Sequence, residues 1–302
     1  MPEQFQLFFV QKFKGKVLFG VPMSEYTSLG IGGPVDAMAF PKDEADLKDI
    51  LSFAASKKFS VFILGGGTNL LVRDKGIRGI VVNMCDGFKD VTWNEGGSVV
   101  VGAGMRLSTL SRHASERELT GLEFASGIPG TIGGAVVMNA GAYGREMKDV
   151  IEGIEIMDFK GKKKFVQAKD IDFGYRRSKL EPETIIVRAH LRLVNGDKDE
   201  IEGLMSEYKK KRETTSPIKC QNAGSVFKNP EGMSAGKLID GAGLKGEKSG
   251  GAEISSVHAN YIINTGKARA KDVLALMALI RDKVYSKNGV LLEPEIKVVG
   301  ED

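Results

Sequence analysis

Apolar residues recur along this chain at two alternating periods, and the changes of period mark out its elements. Beyond Asp43, the residues Leu47, Ile50, Leu51 and Ala54 follow helical spacing, with Asp43 suited to cap the first turn. Residues 59–64 form a short apolar run that predicts a buried strand. Gly65-Gly66-Gly67-Thr68-Asn69 then reads as a loop, Leu70-Leu71-Val72 as a second strand and 79–83 as a third. From Phe88 the pattern shortens to strands and turns, followed by a helix over 107–117. Strands are expected at 151–158, 163–168 and 185–193, the first two joined by a hairpin at Phe159-Lys160-Gly161-Lys162. Asp199 opens a helix whose apolar face is Ile201, Leu204, Met205 and Tyr208. Its end, Lys209-Lys210-Lys211-Arg212, complements the helix dipole, and Pro217 lies beyond its stop. A last helix aligns Val273, Leu276, Met277, Ile280 and Val284 and stops at Gly289.

A chain of 302 residues is long for one hydrophobic core. The texture divides it at 1–84, 85–198 and 199–302, with the strand in 290–302 expected to return to the first lobe. With 42 % hydrophobic and 27 % charged residues, the class is soluble globular. The 43 basic residues are interspersed with 39 acidic ones, so the net charge of +4 is no footprint for nucleic acid. Two cysteines, Cys85 and Cys220, without a CxxC, exclude a disulfide framework and suit a reducing compartment. The first fifteen residues lack the apolar stretch and small-residue exit of a cleavable leader, and no apolar run of 18 exists. A cytoplasmic protein without membrane insertion is expected.

Glycine is in excess, at 38 of 302, and concentrated in short segments. Gly241-Ala242-Gly243-Leu244-Lys245-Gly246 matches GxGxxG. However, 234–240 before it reads as a short helix and no helix follows, so a helix-terminating turn is expected rather than a dinucleotide loop. No GxxxxGK[ST] occurs. By contrast, Gly65-Gly66-Gly67 and the run 126–134, stiffened by Pro129, offer successive N–H groups in concave nests that suit phosphate oxygens. Either one alone is also an ordinary tight turn. Two of them in adjacent lobes suggest a pyrophosphate and so a dinucleotide cofactor outside the Rossmann fold.

The ordered set of motifs resembles the UDP-N-acetylenolpyruvoylglucosamine reductase family, flavoenzymes of peptidoglycan precursor synthesis. The motifs are TSLGIGG at 27–33, GGGTNLLV at 65–72, SGIPGTIGGAVVMNAGAYG at 126–144 and FGYRRS at 173–178. NAGSVFKNP at 222–230, VHANYIIN at 257–264 and LEPE at 292–295 complete the series. Only 28 residues separate Asn229 from His258, which matches the shorter type without a tyrosine-bearing insertion. The resemblance implies an α+β protein. Two lobes of the vanillyl-alcohol-oxidase/p-cresol-methylhydroxylase type would grip FAD, followed by a C-terminal α+β substrate domain. Noncovalent FAD would rest on Gly65, Gly66, Gly67, Thr68, Asn69, Ser126, Gly127, Gly133 and Gly134, and on backbone groups of Ile132 and Ala135.

The implied reaction passes a hydride from NADPH through FAD to UDP-N-acetylglucosamine enolpyruvate and yields UDP-N-acetylmuramate. By resemblance, Arg176 stabilises the enolate, Ser225 donates the proton and Glu295 completes the cluster. Glu293 and Glu295 share a face at period two, so choosing Glu295 rests on the family register. Substrate contacts are expected from Asn229, His258, Asn260, Arg212 and Tyr175. Tyr143 is expected near the flavin or, equally, in a core or stacking role, and His113 and His190 are read as structural. No metal and a monomeric state are expected. The residues leave open another FAD-dependent oxidase of this fold, or a non-catalytic nucleotide-sugar binding protein.

Overall fold

Asp43 begins helix α1 (Glu44–Lys57) as expected, its carboxylate accepting from the Asp46 N–H at 2.8 Å. The helix buries Leu47, Ile50, Leu51 and Ala54 almost completely, and Lys58 ends it in left-handed backbone. The computed structural model containing this helix describes Phe9 and residues 13–302. The leader reading at the start of the chain lies partly outside the described residues, at 1–8 and 10–12. The chain forms two discontinuous units. One comprises 1–19, 36–66 and 79–210; the other comprises 20–35, 67–78 and 211–302.

The first unit holds two apolar cores. In one, α1 packs with Ala37, Ala39, Ile80 and Val82, and Met157, Ile185 and Val187 join from further along the chain. Its sheet runs in the order Lys16–Phe19, Val35–Phe40, Ile77–Asn83, Val61–Leu64, and the last pair is parallel. The second core lies on an antiparallel five-stranded sheet, ordered Lys163–Gln167, Ile151–Asp158, Thr184–Arg192, Ser98–Gly102, Val91–Trp93. Helices α2 (Leu107–Ser115) and α3 (Ile132–Val137) cover it, contributing Leu107, Leu110, Ile132 and Val136. The hairpin at 159–162 forms as expected, because Asp158 accepts from the N–H groups of Lys160 and Lys162.

Helix α4 (Lys198–Thr215) departs from its reading. Only Ile201 is buried, and Leu204 is 41 % exposed. The predicted face is not a core face. Tyr208 instead stacks on the ring of Tyr143, centroids 4.0 Å apart and planes within 6°.

In the second unit, α5 (Ala235–Gly241) and α6 (Ala270–Asn288) share one core with Leu29, Ile31, Leu71 and Phe227. All five residues aligned on α6 are buried, and Gly289 ends it with a positive φ of 68°, its N–H bonded to the Tyr285 carbonyl. The GxGxxG segment is the expected turn: Gly243 donates to the Asp240 carbonyl, and Gly246 to Ile254. Its sheet runs Gln221–Asn222, Ile262–Asn264, Ala252–Ile254, Lys248–Ser249.

The strand Lys297–Val299 does return to early sequence, pairing in parallel with Leu70–Val72. That ladder helps explain why 67–78 belongs with the C-terminal half. The cores draw on residues from both sides of 84/85 and 198/199: Met157, Ile185 and Val187 join the core built on α1, and Leu29, Ile31 and Leu71 join the C-terminal one.

Asp74 adds a second tie, accepting from the N–H groups of Ala270 and Lys271 at the start of α6. Asp74→Ala should therefore lower stability by about 1 kcal/mol, the usual worth of a carboxylate on exposed helix N–H groups. A shift of the urea midpoint with unchanged slope checks it.

Candidate active site

The glycine loops of the first unit meet backbone to backbone. A Cβ on Gly65 would lie 2.5 Å from Thr131 Oγ1, and one on Gly66 would lie 2.9 Å from Gly130 Cα. The Gly66 contact is with backbone, so the close approach requires glycine there, whereas a Cβ at Gly65 would force the Thr131 hydroxyl to turn away. Thr131 caps α3, accepting from the Gly134 N–H at 3.4 Å. The Ile132 N–H donates to Met105 and the Gly133 N–H to Ala103, at 2.9 and 2.8 Å. Ala135 donates to Thr131 at 2.8 Å. These N–H groups hold the loop onto 103–105 and its own helix.

Ser126 differs. Its Oγ is buried and has no hydrogen-bond partner among the described residues. An orphaned buried hydroxyl costs about 1–3 kcal/mol, so this position suits a polar group brought by a ligand. Gly127 is exposed beside it. Gly67, Thr68 and Asn69 belong to the second unit, where the Gly67 carbonyl accepts from Ser28 at 3.0 Å.

Arg176 sits in the two-residue loop of a hairpin, Asp172–Gly174 paired with Arg177–Lys179. Its φ of +56° is left-handed, which a bulky residue adopts only where the surroundings impose it. The hairpin is braced from the 131–146 segment. Asn139, fully buried, donates from Nδ2 to the Gly174 carbonyl at 3.1 Å and to Glu146 at 2.8 Å. The Ser178 hydroxyl donates to Val137 at 3.0 Å. The Arg176 guanidinium lies 5.2 Å from the ring centroid of the exposed Tyr175. Arg177 turns outward towards Asp172, at 3.8 Å. Sequence reading missed Asn139, although an asparagine in NAGAYG is a residue type that tolerates its φ of +41°.

In the second unit Asn222 shapes the NAGS turn. Its Oδ1 accepts from the Gly224 N–H, and its Nδ2 donates to Pro217 and Cys220. Gly224 has a φ of +78°, followed by the half-buried Ser225. The Glu295 N–H donates to the Val226 carbonyl at 2.7 Å and the Lys228 N–H to Glu293 at 2.9 Å, so 293–295 runs alongside 226–228. This segment is extended but lies outside a regular strand, which begins only at Lys297. The two glutamates part company: Glu293 is exposed and pairs with Lys228 at 2.5 Å, whereas Glu295 is half-buried.

The remaining substrate candidates separate as well. Asn229 Oδ1 accepts from the Ala235 N–H that opens α5. Asn260 is 3 % exposed, with both ends of its carboxamide bonded to the Phe227 backbone. Its burial makes it a brace rather than the ligand contact it was expected to be. His258 is half-buried, its Nδ1 accepting from the Asn260 N–H at 3.2 Å. Burial, then the charge of Lys245, pushes its pKa below the ordinary imidazole value. Arg212 is half-buried on α4. Tyr143 donates its hydroxyl to the Tyr208 carbonyl at 2.9 Å, which adds to the stack and bears out the stacking option. His190 bonds Glu155 at 2.9 Å, a structural role as read, and His113 lies on α2 beside Arg112. Among the described residues no cluster has the makings of a metal site, and no helix is long and apolar enough to cross a membrane.

Known proteins show the same organisation. Residues 34–164 match the model of an FAD binding domain. Residues 216–299 match that of the UDP-N-acetylenolpyruvoylglucosamine reductase C-terminal domain. The chain is 47 % identical over 289 residues to the UDP-N-acetylenolpyruvoylglucosamine reductase of Caldanaerobacter subterraneus, covering 95 % of each chain. It is 44 % identical to that of Alkaliphilus oremlandii, covering 95 % of this chain and 94 % of the other. The crystal structure of the Thermus caldophilus reductase superposes with a TM-score of 0.81 at 37 % identity, over 94 % of this chain and 98 % of that one.

Because its folded pKa is depressed, His258 stabilises the protein above the ordinary imidazole value, and that contribution is lost as pH falls through the folded value. Stability should therefore rise with pH in the window just below about 6.5, and His258→Gln should flatten that rise. Denaturation midpoints across pH 5–7, with the His258 ring followed by NMR, check the sign.

Proposed function

The chain belongs to the UDP-N-acetylenolpyruvoylglucosamine reductase family, and on that premise we propose that it reduces UDP-N-acetylglucosamine enolpyruvate to UDP-N-acetylmuramate with NADPH. One observation carries the assignment of residues. The two motif positions that the reaction needs for proton delivery, Ser225 and Glu295, lie on adjacent backbone segments joined by the 2.7 Å bond from Glu295 to Val226.

Noncovalent FAD, when bound, carries the hydride from NADPH to the enolpyruvyl double bond. The polar position at Ser126 fits such a group, and the glycines at 65, 66 and 130 beside Thr131 bring backbone close with few side chains. Hydride addition to the vinyl carbon leaves an enolate on the substrate carboxylate. The forked, always charged guanidinium of Arg176 answers that charge. Ser225 gives its proton to the adjacent carbon, and Glu295 orients the Ser225 hydroxyl. A serine hydroxyl is a weak acid, so its orientation and the enolate it faces must together drive the transfer. Lys228 keeps Glu293 occupied, which favours Glu295 for this role.

For substrate, His258, Arg212, Asn229 and Tyr175 remain the side chains assigned to the sugar nucleotide. His258, neutral at pH 7, serves there by hydrogen bonding rather than by charge. On this reading the enzyme serves peptidoglycan precursor synthesis and works in the cytoplasm.

An absorbance spectrum followed by anaerobic NADPH and then the enolpyruvyl sugar nucleotide tests the whole reading. A yellow protein that bleaches with NADPH and regains colour only with that substrate supports it. Recolouring with oxygen alone would identify an oxidase, and a protein unable to take up FAD would leave a binding module. Ser225→Ala should retain FAD and its reduction by NADPH but slow product formation on the order of 10²–10⁴-fold, the usual worth of a general acid. Arg176→Ala should slow the same half-reaction, and stopped-flow absorbance at the flavin band separates the two halves. Normal turnover of Ser225→Ala would remove Ser225 from the mechanism.

A further inference from the structure

We infer that Asn69 and Asn260 are positioning residues that fix Ser225 against Glu295 through the backbone, an inference that rests on the reductase reading above. Asn260 acts on the Val226–Phe227 segment directly, and Asn69 acts on Glu295, whose N–H is bonded to that segment. The Val226 N–H donates to the Asn260 carbonyl at 2.8 Å, and the Val226 carbonyl accepts from Glu295 at 2.7 Å. The Asn260 side chain then grips the next residue at both ends. Its Oδ1 accepts from the Phe227 N–H at 3.0 Å, and its Nδ2 donates to the Phe227 carbonyl at 2.8 Å. With 3 % exposure and both polar ends engaged, this carboxamide is a clamp on the segment that carries Ser225.

Glu295 is held from its other side. Asn69 Nδ2 donates to the Glu295 carbonyl at 3.2 Å, and the Lys297 N–H donates back to the Asn69 carbonyl at 3.0 Å. The last residue of GGGTN therefore sets the depth of the segment that carries the glutamate. Ser225 is one residue from a peptide locked by Asn260, and Glu295 is locked between that peptide and Asn69. Asparagine suits both posts, since a short side chain with a donor and an acceptor can bond backbone N–H and C=O alike. Aspartate offers the same shape without the donor.

Proton transfer is sensitive to such a brace, because a misplacement of about 1 Å costs on the order of 10²-fold in rate. The test compares Asn69→Ala and Asn260→Ser in the FAD-loaded protein, with Ser225→Ala alongside. FAD stoichiometry, reduction by NADPH and reoxidation by the enolpyruvyl substrate are measured separately. Peptide-level amide exchange over 222–228 and 293–297 reports the brace itself.

The enolpyruvyl half-reaction should lose up to about 10²-fold in kcat with little change in KM and a larger solvent deuterium isotope effect. The NADPH half-reaction should be affected far less, and exchange should quicken in both peptides. Rates are taken per bound FAD, because Asn69 belongs to the loop assigned to the flavin, and equal loss in both half-reactions or an unaltered isotope effect would overturn the inference. Should Asn260→Ser not fold, Asn69→Asp, which keeps the shape and removes the donor, carries the same test. If Ser225→Ala slows the second half-reaction while the asparagine variants do not, the brace alone fails. If Ser225→Ala leaves that half-reaction intact, the reductase assignment of Ser225 fails, whatever the exchange shows.

Discussion

The hydrogen bond from the Glu295 N–H to the Val226 carbonyl is the constraint on which the candidate chemistry depends. Residues 225 and 295 are seventy positions apart in sequence, and side chains cannot search that distance. A backbone bond shared between two extended segments solves the problem once, during folding, and leaves both side chains to be aimed by their own backbones. The parallel pairing of Lys297–Val299 with Leu70–Val72 then carries the same segment into the core around Leu71 and Leu292. The position of a half-buried carboxylate is thus inherited from apolar burial several residues away.

Much of this was legible before any coordinates, and for a physical reason in each instance. Helices α1 and α6 announce themselves because five or so apolar residues at 3.6 spacing have few other uses, and their ends carry Asp43 and Gly289. The GxGxxG turn was separable from a nucleotide loop because flanking periodicity distinguishes a helix end from a strand end. Helix α4 was not legible in the same way. Its apolar residues have the right spacing, yet spacing says nothing about whether a partner surface exists, and Leu204 lies in the open.

Polar residues in glycine-rich motifs were the harder class. Gly133 and the backbone of Ile132 suggest cofactor contacts, and Asn260 a substrate contact, because such motifs attract a ligand reading. The backbone has the first claim on these groups. A buried N–H must be paired within the fold, and Met105 and Ala103 supply the carbonyls. Gly66 makes the same point through sterics, since the tight approach of Gly130 already accounts for its lack of a Cβ. What separates structural from functional groups is therefore saturation: Asn260 is satisfied at both ends, whereas Ser126 Oγ is buried without a partner.

Backbone strain discriminates further. Six non-glycine residues among those described have a positive φ, and three have local reasons to do so. Lys58 ends α1, Glu118 follows α2, and Glu183 lies in an exposed turn. The other three, Asn139, Tyr143 and Arg176, are linked by contact or sequence: Asn139 holds the hairpin of Arg176, and Tyr143 follows it by four residues. Glycine would relieve the conformation at each position. At Asn139 the side chain is retained for the bonds it makes to Gly174 and Glu146, and at Tyr143 for the stack on Tyr208 and the bond to its carbonyl. At Arg176 the strained tip is held by the bonds that brace its hairpin, from Asn139 to the Gly174 carbonyl and from Ser178 to the Val137 carbonyl. Strain of about 1–3 kcal/mol per residue persists at Asn139 and Arg176 because the 131–146 segment and the hairpin fix one another's backbone through these two bonds.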